Sequence, residues 1–317
     1  MLKIIIGKLI KLNKKKVMKE VKSPITLDDN VVSVDDIDVK RIIKQYKTEI
    51  KIDVTKYFKD IEKITIYKCI ETGYRFYYPV DCIGNDKFYE ELSKTRKGYY
   101  SNRWEHKVAL NEIKQNESVL EVGSGSGFFL KSLQERKINA TGLEFNPFAI
   151  KECQKTGLNV TGELVQDHVK TKSNYYDVIC AFQVLEHIAD VHSFLQACNG
   201  LVKKNGRLIF GVPNNNPYLF IIDKYHTLNL PPHHAGLWDK SSLKNLEKLF
   251  PLKLEKILFE PLDSNYSYFL KIHLDDNPNI INRMVMRYSN RFFPGLLKKL
   301  ILKFVNGRNI LVVFRRF

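Results

Sequence analysis

Two groups of residues in this sequence could do chemistry. The first is Glu121 with Gly123, Ser124, Gly125 and Gly127 in "VLEVGSGSGFFL", followed by Glu144 seventeen residues past the last of these glycines. Glycines between a buried strand and a helix let the backbone turn tightly and approach a ligand, and the helix start offers N–H groups with no partner inside the helix. An ionised carboxylate only accepts hydrogen bonds, so Glu144 suits a ligand that presents hydroxyls. The second group is His187 in "VLEHI", with the adjacent His233 and His234 in "TLNLPPHHAGLW". Imidazole exchanges protons near neutral pH and also ligates metals. No metal is expected, because adjacent side chains rarely point at one ion and no nearby acid has metalloenzyme spacing. The pair reads instead as a contact to a reacting molecule, with Pro231 and Pro232 stiffening the loop and Trp238 offering an apolar wall. For His187 the plainer alternative is a packed ring at a helix N-terminus, and Glu186 either orients a histidine or caps that helix.

Elements must hold these residues in place. Short apolar runs at 118–122, 139–145, 176–182, 206–213, 254–260 and 309–314 read as buried strands, alternating with helical spacing, which predicts an α/β fold. Upstream, 34–46 reads as a helix with Ser33 as its N-cap, through Val39, Ile42, Ile43 and Tyr46. "KITIYKCIETGYRFYYP" alternates about a Thr72–Gly73 turn and predicts a β-hairpin, followed by helices in "DKFYEELSK" and "NRWEHKVALNEI". The segment 262–306 is longer than a link between two strands needs and reads as a cap or docking element.

The order Glu, x, Gly, x, Gly, x, Gly after a strand resembles motif I of class I S-adenosylmethionine (SAM) dependent methyltransferases. A dinucleotide site would want Gly or Ala where Phe128 stands. The resemblance continues in order through "GLEFNP", "FQVLEHI" and "LVKKNGRLIFGVP", across residues 100 to 260. It implies a Rossmann-like seven-stranded sheet with helices on both faces, SAM as cofactor, and a small N-terminal α+β extension. It also implies roles: Glu121 and the Gly123 to Gly127 backbone around the methionine moiety, Glu144 on the ribose, Gln183 at the methyl-donor end, and Glu163 to Gln166 over the adenine. In similar small-molecule O-methyltransferases a histidine at the place of His187 serves as base or substrate contact, so His187, His233 and His234 are the catalytic candidates. The front end resembles the zinc ribbon of methyltransferases acting on saccharides, lipids or quinones, but Thr72 stands at the second ligand position and Cys82 lies far off. A metal-free hairpin held by Tyr67, Phe76 and Tyr78 is expected. The implied organisation is an arm at 1–30, a helix and ribbon-like hairpin at 31–98, and the methyltransferase domain at 99–317.

The net charge of +16 sits at the two ends. Residues 1–22 carry eight lysines against Glu20, and 283–317 carry nine Lys or Arg and no acid, which leaves the remainder with 34 basic and 34 acidic residues. A neutral body argues against nucleic acid as a partner, and "VPNNNPY" only imitates the Asn-Pro-Pro-Tyr motif of nucleic-acid base methyltransferases. RNA methylation and a non-catalytic SAM-binding partner subunit remain the alternatives. Leu2, Ile5, Ile6, Leu9 and Leu12 share a helical face, as do Leu296, Leu297, Leu300, Ile301 and Phe304 after Pro294, and lysines flank both. These ends suit either an anionic membrane surface or docked helices with solvated lysines. "IIIGKLI", interrupted by Lys8, reads as neither signal peptide nor membrane span, and five unpaired cysteines point to a reducing compartment. The expected setting is cytoplasmic, extending to the inner membrane face, with a small-molecule or lipid-linked saccharide acceptor.

Overall fold

The computed structural model describes residues 21–96, 101–215, 225–277 and 279–317. The N-terminal amphipathic stretch of the first twenty residues and the Asn-Pro-Tyr at 216–218 lie outside them.

Eleven strands among the described residues form two sheets. In chain order they are β1 (Val31–Asp38), β2 (Lys63–Cys69), β3 (Arg75–Tyr78), β4 (Ser118–Val122), β5 (Asn139–Leu143), β6 (Val160–Thr161), β7 (Tyr176–Phe182), β8 (Val202–Pro213), β9 (Gly236–Leu237), β10 (Leu252–Pro261) and β11 (Asn306–Arg316). The larger sheet has the order β10-β11-β8-β7-β4-β5-β6. Its strands from β8 to β6 are parallel, while β11 runs antiparallel between β8 and β10. Parallel strands are covered on both faces, so these runs are apolar without alternation, as in Val178 to Ala181, all fully buried. The helices are α1 (Val39–Gln45), α2 (Asp86–Thr95), α3 (Trp104–Leu110), α4 (Phe128–Glu135), α5 (Pro147–Lys155), α6 (Val165–Lys172), α7 (Val191–Leu201), α8 (Lys240–Lys244), α9 (Tyr266–Lys271), α10 (Ile280–Phe292) and α11 (Pro294–Phe304).

The smaller sheet has the order β1-β2-β3-β9 and is antiparallel throughout. The hairpin stands where the sequence placed it, with Tyr67 stacked on Phe76 at 6.0 Å and edge-on to Tyr78 at 5.9 Å. The expected helix from residue 34 is corrected. Val31–Asp38 pairs with β2 across a bulge between Ser33 and Asp35, and the helix starts only at Val39, capped by Asp38, whose side chain accepts from Lys40 N at 2.7 Å. Pairing with an available sheet edge outweighs a local capping signal. Residues 21–30 dock on the main core, where Ile25 is fully buried.

The last strand of the smaller sheet, β9, comes from far along the chain, after β8 of the larger sheet. Gly236 pairs with Phe76 of β3, Leu237 with Arg75, and Gly236 comes so close to Tyr74 that a Cβ there would sit 1.7 Å from the buried Tyr74 hydroxyl. No other residue fits. Trp238 is also corrected: it walls no cavity but is fully buried in the core, with its ring centroid 4.3 Å from that of Tyr74. The two sheets therefore share one apolar cluster, which runs from Phe76 through Trp238 to Leu243 and Phe314.

Candidate active site

The glycine turn joins β4 to α4. Gly123, Gly125 and Gly127 all hold left-handed φ values of +75°, +52° and +74°, which side chains resist. At Gly123 a Cβ would in addition meet the Val184 side chain at 2.5 Å. Gly125 N–H donates to Glu144 Oε2 at 2.7 Å, and Glu144 Oε1 accepts from the N–H groups of Phe145 and Asn146 at 2.9 Å. Glu121, the last residue but one of β4, has one carboxylate oxygen without a hydrogen-bond partner, and Ser124 Oγ is likewise without one. Burial and then the neighbouring Glu144 push the Glu121 carboxyl well above the usual carboxylate range. A cationic donor such as the ammonium of a methionine moiety satisfies such an orphaned oxygen. These groups fit SAM.

One cavity of about 1220 Å³ is lined by Glu121, Gly123, Ser124, Gly125, Glu144 and Gln183, by Glu163 to Gln166, and by all three candidate histidines. Gly127 alone of the expected site residues faces away. A Cβ there would meet Leu158 at 2.5 Å and Cys153 at 2.8 Å, so its part is to let α4 start and pack against the α5 side. Gln183 sits at a left-handed φ of 56°, and its amide donates to Glu105 Oε1 at 2.8 Å and Asn309 Oδ1 at 3.2 Å. Asn309 in turn donates to Glu260 at 3.0 Å, which adds a polar wall from the two antiparallel strands. Nothing local in the sequence signals this wall, because it exists only once β10 and β11 fold back beside β8.

The histidines meet at the other side of the cavity. Ring centroids are 4.6 Å apart for His187 and His233, 4.9 Å for His187 and His234, and 4.7 Å for His233 and His234. Adjacent side chains do not diverge here: the His233 and His234 rings stack at 23°. His187 Nδ1 faces the His233 carbonyl at 2.6 Å, and His233 Nδ1 faces the Leu228 carbonyl at 2.7 Å. A carbonyl oxygen only accepts, so both nitrogens carry the hydrogen and Nε2 is the lone-pair nitrogen of each ring. For His234 a relay sets the tautomer. Asn215 Nδ2 donates to the Pro213 carbonyl at 3.2 Å, Asn229 Nδ2 donates to Asn215 Oδ1 at 3.0 Å, and Asn229 Oδ1 then accepts from His234 Nδ1 at 3.0 Å. Burial pushes His187 down to about 4, against a partial rise from the His233 carbonyl, and holds His233 and His234 well below the ordinary imidazole value, each also depressed by its neighbouring rings. All three are neutral at pH 7.

Glu186 lies beside them, fully buried and with neither carboxylate oxygen hydrogen-bonded. Its Oε1 is 3.8 Å from His187 Nε2, and burial raises its carboxyl to about 8. Asn215, Asn229 and Tyr89, whose hydroxyl donates to the His233 carbonyl at 3.0 Å, complete the surround. Sequence spacing hides Tyr89, which is brought in from 144 residues away, while Asn229 stands in the same loop as the histidines, five residues before His234.

Such a glycine turn at the C-terminal edge of a seven-stranded sheet, with an orphaned acid aimed at it, defines a class I SAM-dependent methyltransferase. A family described as a methyltransferase domain matches residues 96–256, half of the chain. The chain belongs to that family, and SAM is its cofactor. It is similar to the ubiquinone biosynthesis O-methyltransferase of Pectobacterium atrosepticum, 31% identical over 142 residues that make up 43% of this chain and 56% of that one. The enzyme of the same description from Vibrio parahaemolyticus is 31% identical over 166 residues, 47% of this chain and 71% of that one. This chain thus spans little more than half of the first relative. Among solved structures, a SAM-dependent methyltransferase from Archaeoglobus fulgidus superposes with a TM-score of 0.47 at 19% identity, over 66% of this chain and 90% of that one.

Replacing Glu144 by Ala removes a charged acceptor from the turn. Hydrogen bonds to a charged group contribute about 1.5–3 kcal/mol, so S-adenosylhomocysteine is expected to bind about tenfold or more weakly by calorimetry. Unchanged affinity would remove Glu144 from the cofactor site. His106, buried between Phe129 and Phe182, is lowered from 6.5 to about 4 by burial first and then by Arg103. Below pH 6.5 the unfolded chain takes up a proton that the folded one refuses, so this contribution to stability is complete above 6.5 and is lost as pH falls towards 4. Denaturant unfolding across that range should show a smaller loss for His106→Phe than for the parent chain.

Proposed function

We propose that the protein transfers the methyl group of SAM to a hydroxyl of a small-molecule, glycan or lipid-linked acceptor. The observation that carries this reading is that the glycine turn and the three-histidine cluster line the same cavity. Its volume of about 1220 Å³ exceeds the roughly 300–1,000 Å³ of a site for one drug-sized ligand, which leaves room for cofactor and acceptor together. The similarity to O-methyltransferases of ubiquinone biosynthesis supports an oxygen acceptor.

In the transfer the acceptor oxygen attacks the sulfonium methyl in line. The carbon–sulfur bond breaks with its electron pair left on sulfur, and the product is a neutral thioether. Holding the two reactants in near-attack geometry supplies most of the acceleration. The hydroxyl proton leaves at the histidine cluster, where His187, His233 and His234 present the lone-pair nitrogens deduced above. A positioned base contributes about 10²–10⁴ in rate.

Incubation of the purified chain with SAM and a panel of quinols, catechols, nucleotide sugars and lipid-linked glycans is expected to release S-adenosylhomocysteine with at least one acceptor. His187→Ala should then lower kcat by about 10²-fold or more with SAM affinity retained. A chain that binds SAM but turns over no hydroxyl acceptor, or that methylates RNA instead, overturns the reading.

The proposal extends to an anionic membrane surface as the place of work. Among the described residues no helix is long and apolar enough to cross a membrane. Yet α10 and α11 expose Ile281 (68%), Met284, Val285, Tyr288, Phe292, Leu296, Leu300 and Phe304 (74%), while only Ile301 of α11 is buried. Leu297 packs with Ile301 against Leu262 and Phe269, so the expected apolar face of α11 is divided between core and surface. Six basic residues from Arg283 to Lys303 accompany these side chains, and no acid occurs from residue 277 to the end. Apolar side chains flanked by cations favour the boundary of a negatively charged bilayer. Sedimentation with phosphatidylglycerol vesicles is expected, weaker with phosphatidylcholine and partly reversed by salt. Equal behaviour of parent and a Phe292→Ser, Phe304→Ser double variant would exclude this face.

A further inference from the structure

We propose that His187, His233 and His234 form a binding site for one divalent transition-metal ion, with the buried Glu186 carboxylate beside it. The inference rests on the reading of the cavity as an acceptor site, and it states how the cluster acts there. One ring nitrogen from each histidine lies within 4.8 Å of the other two. In a tetrahedral site with ligands at about 2.0–2.1 Å, neighbouring nitrogens stand about 3.4 Å apart. Each ring therefore has to move by less than about 1 Å to close on an ion, well within the reach of a side chain about χ1 and χ2.

Three further observations favour an ion over simple packing. Each Nδ1 is tied to an oxygen acceptor: the His233 carbonyl, the Leu228 carbonyl and the Asn229 amide oxygen. Ligating histidines are held in this way, with the second ring nitrogen donating to a carbonyl, amide or carboxylate oxygen so that tautomer and ring direction are set. The relay from Pro213 through Asn215 and Asn229 leaves His234 no other tautomer while it lasts. Next, Glu186 places a fully buried carboxylate with two unpartnered oxygens at the edge of the cluster, 3.8 Å from His187 Nε2. A buried carboxyl group without hydrogen bonds is costly unless a cation satisfies it. Last, the same residues line the cavity that holds the glycine turn, so a ligand can reach the cluster. Three imidazoles with one carboxylate suit Zn²⁺, Fe²⁺, Co²⁺ or Ni²⁺ rather than Mg²⁺ or Ca²⁺, which prefer all-oxygen surroundings. With an ion in place, the histidines act on the acceptor hydroxyl through it, by drawing the oxygen into a fixed position and favouring loss of its proton.

The test uses the full chain without a histidine tag, treated with chelator, dialysed, and titrated with Zn²⁺ by calorimetry and with Co²⁺ by visible absorption. We expect one ion per chain, with cobalt bands of a four- or five-coordinate nitrogen–oxygen site, and no uptake of Mg²⁺ at matching concentrations. His234→Ala and His187→Gln should each weaken binding about tenfold or more. S-adenosylhomocysteine binding by the same preparations reports that each variant is folded. Folded parent protein that takes up no ion, or variants that bind as tightly as the parent, would overturn the site. Two results separate this inference from the proposed activity. Methylation of a hydroxyl acceptor that persists in chelator removes the ion and leaves the activity, whereas one bound ion with no hydroxyl acceptor removes the activity and leaves the site.

Discussion

Burial of one loop constrains most of the rest. Every residue from Thr227 to Asp239 is buried, so the backbone groups of that loop need partners inside the protein. The partners come from both sheets and from the segments around them. Tyr46 and Tyr77 donate to the carbonyls of Leu230 and Asn229 at 2.9 and 2.7 Å, and Gly84 N–H donates to Pro232 at 2.7 Å. On the other flank Ala235 N–H donates to the Glu186 carbonyl at 2.7 Å, and Asn215 N–H donates to Trp238 at 3.1 Å. The small N-terminal sheet is therefore a clamp for the histidine side of the cavity. Loss of one tyrosine hydroxyl would strand a buried carbonyl a few residues from the histidines.

This clamp also explains why the two halves of the site differ in character. The cofactor half is a local device: strand, glycine turn and helix lie within one stretch of chain, and Glu144 closes it with a bond to Gly125 N–H. The histidine half is assembled from several segments. His187 follows β7, the histidine pair follows β8, and their hydrogen-bond partners include Tyr89 of α2. Rigidity in that half comes from a buried hydrogen-bond network, which favours one arrangement of its members.

Charge is divided along the same lines. The body of the protein is balanced, and its strong electrostatic features are buried carboxyl groups: Glu105, Glu121 and Glu186, each with at least one unpartnered oxygen and each raised by burial. Clustering of perturbed groups beside one cavity is a mark of a functional site rather than of the fold. Of the excess positive charge, the nine Lys and Arg residues of 283–317 lie on α10, α11 and the strand that follows, outside this cavity for the most part, with Arg308 as the exception that lines it. The perturbed carboxyl groups and the basic helices thus lie in separate parts of the chain.

The sequence alone determined the sheet, the cofactor turn and the location of the histidines along the chain. These depend on short-range order: apolar runs that must be covered on both faces, glycines that must adopt left-handed φ, and an acid at the end of the next strand. It misread Val31–Asp38, because a strand at a sheet edge is decided by the partner strand and not by its own capping residues. It also misread Trp238, because an apolar ring next to a candidate site can face the core as readily as the cavity. Only the tertiary structure brought the three imidazoles into one triangle and set their tautomers. That depends on β9 joining β3, a pairing of residues about 160 positions apart, and on the Pro213, Asn215 and Asn229 relay, whose side-chain geometry no spacing encodes although its members lie within one stretch of chain.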